Sequence, residues 1–363
     1  MKKIKIGFVG AGRVTIHHIK LLKKLQTKIK IVAICDLIES KCDEIIKINA
    51  TLKIKKFKDY HKMINECKLD LVAILTPSGM HYEHAIDIIK NHKIDLILEK
   101  PPTLRVQNLK NIYDLAQSKK VNIFPVFQNR YNNAVQFLKK SITQGKLGKI
   151  NICSVRVRWC RPQRYYNSAQ WRGTFSHDGG ALANQGIHHI DLLRYLNGEV
   201  KSVNTIMKTL GSKIEVEDTG LATLIFKNGS VGNLEITTAA RPDDYEASIS
   251  FLGTKGMAQL GGIAVNKLEI YTPNQKMCKI NSEKFPNAYG YGHLELYKKI
   301  LRFYKNKKLK VLDKIDSLRT LELLNSFYVS SEIKKTVELG KYLQSKNLGK
   351  RNERISKLYR FKK

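Results

Sequence analysis

The sequence lacks any run of about 18 apolar residues, the length that a membrane-spanning helix needs. Its six cysteines are scattered and form no Cys-x-x-Cys pair, so we expect neither a disulfide framework nor a metal site. The basic start, Met1 to Lys5, leads only into the short apolar run Ile6 to Val9, which does not predict a signal peptide. We find no internal repeat. These absences favour a cytoplasmic protein with reduced thiols.

Acidic residues are few: 31 Asp and Glu stand against 65 Lys and Arg, which gives a formal net charge of +34. A nucleic-acid-binding protein concentrates such charge in a patch. Here Lys is spread over nearly every segment beside many Ile and Asn residues, which indicates a compositional bias on a solvated surface. We expect no specific nucleic-acid binding, although a preference for anionic partners stays open. Arg differs, because five of the 15 lie between Arg156 and Arg172.

The first part of the chain alternates short apolar strands with amphipathic helices, which predicts a parallel sheet covered by helices on both faces. The length of 363 residues is typical of two domains rather than one. The predicted strands are Lys3–Val9, Lys30–Cys35, Asp70–Leu75, Ile94–Leu98 and Val121–Phe127. The predicted helices are His17–Leu25, Met80–Lys90, Leu104–Ser118 and the connecting helix Tyr131–Thr143.

The pattern changes after residue 149. Successive strands separated by turns, with Asn228-Gly229 as a hairpin turn, predict a large and mostly antiparallel sheet. The strands are Ile150–Trp159, Lys201–Lys208, Thr219–Phe226, Ser230–Thr238, Tyr245–Leu252, Met257–Leu260 and Lys267–Tyr271, and the helices are His189–Leu196, Gly292–Lys305 and Ser317–Val337. We therefore expect an α/β domain at 1–128, an α+β domain at 129–340 and a loosely attached basic tail at 341–363.

A dinucleotide fingerprint follows the first strand directly. Gly10 permits a tight turn, and Gly12 lets the main chain approach a pyrophosphate at the start of a helix. The third glycine of the pattern is replaced by Thr15, which we expect to loosen the packing slightly. Asp36 ends the second strand at the distance expected for an acid that binds the adenosine ribose. Its carboxylate repels a 2′-phosphate, so the sequence predicts NAD rather than NADP.

Two further loops follow strands, at the edge where an open α/β sheet binds its ligand. They are Thr76-Pro77-Ser78-Gly79-Met80-His81 and Glu99-Lys100-Pro101-Pro102. With the glycine loop, with Gln128-Asn129-Arg130 and with Gly186-Ile187-His188 before Ile190-Asp191, they resemble the Gfo/Idh/MocA family of oxidoreductases. The resemblance runs in order from residue 3 to about residue 335, and it implies a Rossmann domain for NAD followed by a domain for substrate binding and oligomerisation.

The resemblance implies that Lys100 and His188 are the catalytic residues, far apart in the chain and both next to the nicotinamide ring. Lys100 is our first choice for the proton acceptor, which requires a depressed pKa, and His titrates near neutral pH without such help. The Lys100–Pro101 bond is expected to be cis. The common family pattern has Asp four residues before the His, whereas this sequence has Asn184, which hydrogen-bonds a hydroxyl but takes up no proton.

A narrower resemblance, from Arg156 to Asp191, is to the subgroup that oxidises nucleotide-linked sugars, in particular UDP-N-acetylglucosaminuronate 3-dehydrogenases of surface-polysaccharide synthesis. A nucleotide sugar carries a pyrophosphate and a uronate adds a carboxylate, and Arg binds both groups with a planar fork. The expected substrate-binding residues are Asn184, Arg158, Arg164, Tyr165, Tyr166, Arg172 and His293. The alternative is that Arg156 and Arg158 only form the charged face of a strand.

The expected cofactor-binding residues are Gly10, Gly12, Arg13, Val14, Asp36, Thr76, Pro77, His81, Glu99, Lys100, Gln128, Trp171 and Arg172. The resemblance also implies a homodimer or homotetramer, and 2-oxoglutarate as a second substrate of some relatives. Two alternatives to a nucleotide sugar stay open. One is a free inositol or aldose, which the Arg cluster disfavours, and the other is a dinucleotide-sensing regulator without turnover, which intact Lys100 and His188 disfavour.

Overall fold

The computed structural model describes residues 2–307, 309, 311, 314–340 and 342–361. The chain divides into two compact units, 1–126 with 293–317 and 351–363, and 127–292 with 318–350. The first boundary falls close to the predicted one. The segments 293–317 and 351–363 belong to the first unit, contrary to the predicted boundaries. No helix among the described residues has the length and apolarity to cross a membrane.

The first unit contains a six-stranded sheet. Its strands are β1 Ile4–Val9, β2 Ile29–Cys35, β3 Lys55–Phe57, β4 Leu71–Ile74, β5 Asp95–Leu98 and β6 Ile123–Pro125. They are all parallel and lie in the order β3-β2-β1-β4-β5-β6, the order of a Rossmann sheet. Every side chain of β4 is buried, as expected for a parallel strand covered on both faces. The direction of the chain order reverses between β1 and β4, so the loops after these strands meet at the ligand-binding edge.

The helices of the amino-terminal part pack on this sheet. They are α1 Arg13–Leu22, α2 Glu39–Ile48, α3 Tyr60–Cys67, α4 His81–His92 and α5 Val106–Lys119. The α/β prediction is confirmed. Strand β3 and helices α2 and α3 have no counterpart among the predicted elements. The six cysteines are free and four of them are buried, as expected for reduced thiols.

The second unit contains an eight-stranded sheet. Its strands are β7 Ile150–Arg158, β8 Val200–Lys208, β9 Thr219–Phe226, β10 Val231–Thr237, β11 Glu246–Gly253, β12 Gly256–Gly261, β13 Lys267–Tyr271 and β14 Val337–Glu338. The order is β13-β12-β11-β7-β10-β9-β8-β14, and only the β7–β10 pair is parallel. The predicted mostly antiparallel sheet is therefore confirmed. One face of β7 is buried and the other is open, because its buried residues alternate with exposed ones over its second half.

The remaining helices are α6 Asn133–Thr143, α7 Gln163–Tyr166, α8 Ala181–Asn184, α9 Ile187–Asn197, α10 Lys276–Asn281, α11 Gly292–Lys305, α12 Lys314–Ile333 and α13 Glu353–Ser356. Helix α9 is buried on nearly all sides and packs on β7. Helix α13 lies in the segment that we expected to be a loose tail. That expectation is wrong for the described part, because Arg360 forms ion pairs with Glu83 of α4 and with Glu353.

Candidate functional site

The glycine loop of the first unit has the shape that a dinucleotide requires. Gly10 has a φ of 107°, and a Cβ atom there would lie 2.7 Å from the carbonyl oxygen of Leu75. A Cβ on Gly12 would meet no protein atom within 4 Å, so the packing of the protein itself does not demand glycine at this position. Gly12 is also the N-cap of α1, where free backbone N–H groups favour an anion. The open space above Gly12 therefore fits a pyrophosphate.

Two side chains close this loop. The carboxylate of Asp36 accepts hydrogen bonds from the backbone N–H groups of Ala11 (2.8 Å) and Ile38 (2.9 Å). The hydroxyl of Thr15 is buried and donates to the carbonyl oxygen of Gly10 (2.7 Å). Thr15 therefore ties the start of α1 to the loop. We expected this departure from the pattern to loosen the packing of helix against strand slightly, and the structure buries the Thr15 side chain fully at this place. Arg13, in the first turn of α1, is exposed.

The loops after β4 and β5 are joined by His81. One ring nitrogen lies 2.9 Å from the carbonyl oxygen of Pro101 and the other lies 2.9 Å from that of Thr76. His81 is 1% exposed, so its ring links the two loops instead of presenting a free nitrogen to a cofactor. The Lys100–Pro101 peptide is cis, as expected.

Glu99 and His293 face each other inside the first unit. The Nε2 atom of His293 lies 3.1 Å from Oε1 of Glu99, and both residues are buried. Contact with substrate was expected for His293, and contact with cofactor for Glu99. In the structure each of these side chains has the other as a protein partner, and the expected contacts with substrate and cofactor stay predictions.

In the second unit, Gln128 contacts His188. The amide nitrogen of Gln128 lies 3.1 Å from Nε2 of His188, and both side chains are buried. We expected Gln128 to bind the cofactor. In the structure its amide contacts the imidazole of His188, and the contact with cofactor stays a prediction. The segment is fixed by Arg130, whose guanidinium forms a buried two-pronged pair with Asp191 on α9, at 2.6 Å for each hydrogen bond. Helix α9 also carries His188, so this pair helps to orient the imidazole.

Asn184 is in contact with a carboxylate. Its amide donates to Asp178, which is buried and also accepts the backbone N–H of Gly173 (2.7 Å). Position 184 therefore carries an amide where the family pattern has a carboxylate, but the carboxylate of Asp178 lies beside it. Asp178 was not among the predicted site residues, although the sequence places it only six residues before Asn184.

An arginine–aromatic cluster stands close to Asn184 in the chain and belongs to the same unit. The guanidinium of Arg172 lies 4.4 Å from the ring centre of Tyr165 and 4.5 Å from that of Trp171, and it donates to the Tyr165 hydroxyl (2.6 Å). The guanidinium of Arg161 lies 5.7 Å from the ring centre of Tyr165. Gln185 donates to the same hydroxyl (3.3 Å). Cation–π contacts of this kind fix the direction of a guanidinium without neutralising it.

Two predicted substrate residues do not belong to this cluster. Arg158 lies on the open face of the sheet, where its guanidinium pairs with Glu235 and with Glu246 on the neighbouring strands. Strand periodicity explains this, since residues 156 and 158 point to the same face. Tyr166 is buried and its hydroxyl pairs with that of Thr238 (2.8 Å), so it belongs to the core. Arg164 is exposed, and its role stays a prediction.

Sequence reasoning missed Arg161, Asp178 and Gln185. Each lay inside the quoted signature, but no pattern indicated which side chains turn toward Tyr165 or Asn184. It also missed His18, because a His in a helical pattern reads as an ordinary core residue. Its Nε2 atom lies 3.0 Å from Oε1 of Glu99.

Family profiles match most of the chain. The profile described as "Oxidoreductase family, NAD-binding Rossmann fold" covers residues 4–127, and the profile described as "Oxidoreductase family, C-terminal alpha/beta domain" covers residues 139–339. Both profiles bear the Gfo/Idh/MocA name. Their boundary agrees with the division between the two sheets.

The solved structures and curated proteins that are similar to this chain include dehydrogenases. The WlbA dehydrogenase of Bordetella pertussis, solved with NADH and UDP-GlcNAcA, is 32% identical with a TM-score of 0.83, over 93% of this chain and 99% of the other. The WlbA dehydrogenase of Chromobacterium violaceum, solved with the same two molecules, is 31% identical with a TM-score of 0.86, over 94% and 97%. D-glucoside 3-dehydrogenase of Escherichia coli strain K12 is 24% identical over 357 residues, which cover 93% of this chain and 97% of the relative.

A Rossmann sheet with an open glycine loop, matched by an NAD-binding profile, defines an NAD-dependent oxidoreductase. More particularly, the chain belongs to the Gfo/Idh/MocA oxidoreductase family. NAD fits the residues present: Gly10, Gly12 and the start of α1 would hold the pyrophosphate, and Asp36 would bind the ribose.

Proposed function

We propose that the protein oxidises a secondary hydroxyl, at C3, of a nucleotide-linked sugar uronate such as UDP-N-acetylglucosaminuronate. Oxidation of sugar-type CH–OH groups is common to its relatives, but these include enzymes of free glycosides as well as of a nucleotide sugar. The proposal places the reaction in the synthesis of a surface-polysaccharide precursor.

The observation that carries the proposal is the set of contacts made by the Arg172 guanidinium. Its guanidinium is held by two aromatic rings, the Tyr165 hydroxyl and the Ser168 hydroxyl (3.2 Å), and no carboxylate in the described part of the chain pairs with it. A guanidinium that is oriented but not neutralised suits an anionic ligand. A neutral inositol or aldose offers no charge to it, whereas a pyrophosphate or a uronate carboxylate does.

The chemistry requires that a hydride leave the carbon and a proton leave the oxygen of the same CH–OH group. When bound, NAD supplies the acceptor of the hydride. We assign the acceptance of the proton to Lys100 and a hydrogen bond to the reacting hydroxyl to His188. Because Gln128 occupies the Nε2 edge of His188, that contact also sets which ring nitrogen carries the proton. Asn184 holds a second hydroxyl, and general-base catalysis contributes about 10²–10⁴-fold to such rates.

A substrate panel tests the proposal. Purified protein with NAD is mixed with UDP-N-acetylglucosaminuronate, UDP-N-acetylglucosamine, glucose or myo-inositol, and NADH absorbance is followed. We expect reduction with the nucleotide-linked uronate and little with the free compounds. Addition of 2-oxoglutarate then tests whether the absorbance falls again, as reoxidation on the enzyme requires. Reduction by the free compounds alone would contradict the proposal and favour a polyol dehydrogenase.

Variants of Lys100 and Arg172 test the assigned roles. Lys100→Ala is expected to lower turnover by about a thousandfold, while fluorescence titration should show that NADH still binds. Arg172→Met is expected to raise the KM of the nucleotide sugar by about 10–100-fold, the loss of one charged hydrogen-bonding group. The exposed Lys90→Ala variant is the control and should behave as wild type.

We further propose that the protein forms a homodimer or homotetramer through the open face of the eight-stranded sheet. Five exposed apolar side chains form one row across five neighbouring strands, because their registers align: Met257, Leu252, Ile152, Val231 and Ile225. A continuous apolar row of this kind on a sheet face favours a protein partner.

A further inference from the structure

Glu99 is the centre of a buried cluster in the first unit. Its Oε1 atom lies 3.0 Å from Nε2 of His18 and 3.1 Å from Nε2 of His293, and its Oε2 atom accepts the backbone N–H of Lys100 (3.0 Å). The three clustered residues, His18, Glu99 and His293, are at most 5% exposed. The hydroxyl of Tyr297 completes the cluster, 2.7 Å from Nδ1 of His18.

The protons of this cluster can be assigned from its contacts. Burial by itself raises the pKa of Glu99, but the hydrogen bonds from His18 and His293 outweigh it and hold the pKa well below its ordinary value. Glu99 is therefore an anion that only accepts, so each His donates through Nε2. Burial lowers the pKa of His18, which keeps that ring neutral. Its Nδ1 atom then accepts from the Tyr297 hydroxyl, and every N–H and O–H of the cluster has an acceptor.

The same ligand atoms of His18, Glu99 and His293 lie within 4.8 Å of one another, which is also compatible with a divalent metal. Metal binding through Nε2 would move the proton of each His to Nδ1. The Nδ1 atom of His293 is buried and has no hydrogen-bond partner among the described residues, so a metal would leave an orphaned N–H group there. Orphaned buried N–H groups are rare, and the separations near 3 Å are ordinary for N–H···O hydrogen bonds. The contacts therefore favour the hydrogen-bonded form.

The cluster connects three elements to the main chain at Lys100. His18 belongs to α1, behind the glycine loop, His293 and Tyr297 belong to α11, and Glu99 follows β5. We propose that His18 and His293 are positioning residues, which fix the Lys100 main chain through Glu99. This inference rests on the proposed role of Lys100 as proton acceptor.

Paired substitutions at position 293 test the role of the donor. His293→Leu removes the donor and leaves a buried anion short of one hydrogen bond, whereas His293→Gln keeps an N–H group at a similar reach. We expect His293→Leu to lower kcat at least tenfold, with NADH affinity and the KM of the sugar within about twofold of wild type. His293→Gln should restore kcat to within about threefold. Equal loss in both variants would overturn the inference, because a purely steric role predicts it.

Two measurements do not depend on turnover. Acylation of Lys100, followed by peptide mass spectrometry against Lys90 as internal control, should change at least threefold in His293→Leu and return in His293→Gln. Nitrogen-15 NMR of labelled histidine should show His18 neutral with its proton on Nε2, and an Nε2–H group on His293. Unchanged Lys100 acylation, a proton on Nδ1, or a metal signal on Nε2 would overturn the inference. If no nucleotide sugar is oxidised, the proposed function fails. These two results still show whether His18 and His293 position Lys100 through Glu99.

Discussion

The carboxylate of Asp36 has two roles, so substitutions of this residue test the choice of cofactor most directly. It holds the glycine loop through the N–H group of Ala11, and we propose that it also binds the ribose of NAD. We expect Asp36→Ala to weaken NAD binding by about 10–100-fold, since hydrogen bonds to charged groups are worth about 1.5–3 kcal/mol. Asp36→Asn keeps an acceptor for Ala11 but removes the repulsion of a 2′-phosphate, so it should lose selectivity more than affinity.

Fluorescence titration with NADH and NADPH measures both effects. Asp43→Ala is the matched control, because Asp43 is a carboxylate of the same unit that pairs at the surface with Lys56. An Asp36→Asn variant with the wild-type ratio of NADH to NADPH affinity would show that this carboxylate does not select the cofactor.

Individual site residues were predictable where a backbone requirement selects the residue type. Gly10 needs a positive φ, and its position was evident from the sequence. The pairing of Arg158 with Glu235 and Glu246 was not predicted, because a cluster of Arg in sequence does not reveal which face of a strand each one occupies. His18 and Arg161 could not be found, since their partners Glu99 and Tyr165 are distant or lie across a turn. Side-chain contacts made by folding leave no local pattern.

At the scale of elements, long periodic segments were predicted well and short polar ones were not. Strands β9 and β13 and helix α11 have the predicted bounds. Strand β3 reads Lys-Lys-Phe and was missed, because three residues show no alternation. The predicted helix Ser317–Val337 ends early, since the chain turns through a positive φ at Lys334 and Val337 pairs with β8. Tertiary pairing overrides local preference at such ends.

The apolar row on the open sheet face leads to a prediction about assembly. Ile152 is 41% exposed on the central strand β7, and its cross-strand neighbours Val231 and Leu252 are exposed as well. We expect Ile152→Glu to convert the oligomer into a smaller species, because an interface would then bury an unpaired charge. Sedimentation velocity measures the change. Ile48→Glu is the control, since Ile48 is 65% exposed in the other unit. An unchanged sedimentation coefficient for Ile152→Glu would exclude this face.

Helix α8, which carries Asn184, depends on a buried acid. The Oε1 atom of Glu217 accepts the backbone N–H of Leu182 (3.0 Å) and the hydroxyl of Tyr328 (2.7 Å). A Cβ atom on Gly180 would lie 2.1 Å from this carboxyl group, so any larger residue there would displace the Glu217 side chain. Burial raises the pKa of Glu217 from 4.5 to about 8.

Because the native state keeps this proton to higher pH than the unfolded state, the contribution of Glu217 to stability is lost as pH rises from 4.5 toward 8. At about 1.4 kcal/mol per pH unit, this loss reaches roughly 4 kcal/mol. Glu217→Gln should remove this dependence of stability on pH, and urea unfolding should show it to be more stable than wild type at pH 8. The exposed Glu215→Gln variant is the control and should keep the pH dependence of wild type. Parallel pH profiles of wild type and Glu217→Gln would contradict a protonated Glu217.

Over the whole molecule, the net charge of +34 produces a general repulsion that also changes stability with pH. The contribution of one residue therefore has to be measured as a difference between variants. Buried neutral histidines offer such a difference. Burial lowers the pKa of His84 in the first unit and of His189 in the second from 6.5 to about 4. The unfolded state takes up the proton first, so stability is lost as pH falls below 6.5 toward 4.

His189 gives the cleaner test, because both tryptophans, Trp159 and Trp171, lie in the same unit and report its unfolding. Its ring packs edge-on against Trp159, so His189→Phe keeps an aromatic ring in place. Between pH 6.5 and pH 5 the free energy of unfolding of wild type should fall by about 2 kcal/mol relative to this variant, at about 1.4 kcal/mol per pH unit. Urea unfolding followed by tryptophan fluorescence at several pH values measures the difference, in which general charge repulsion cancels. Curves that stay parallel down to pH 5 would mean that His189 is protonated in the native state.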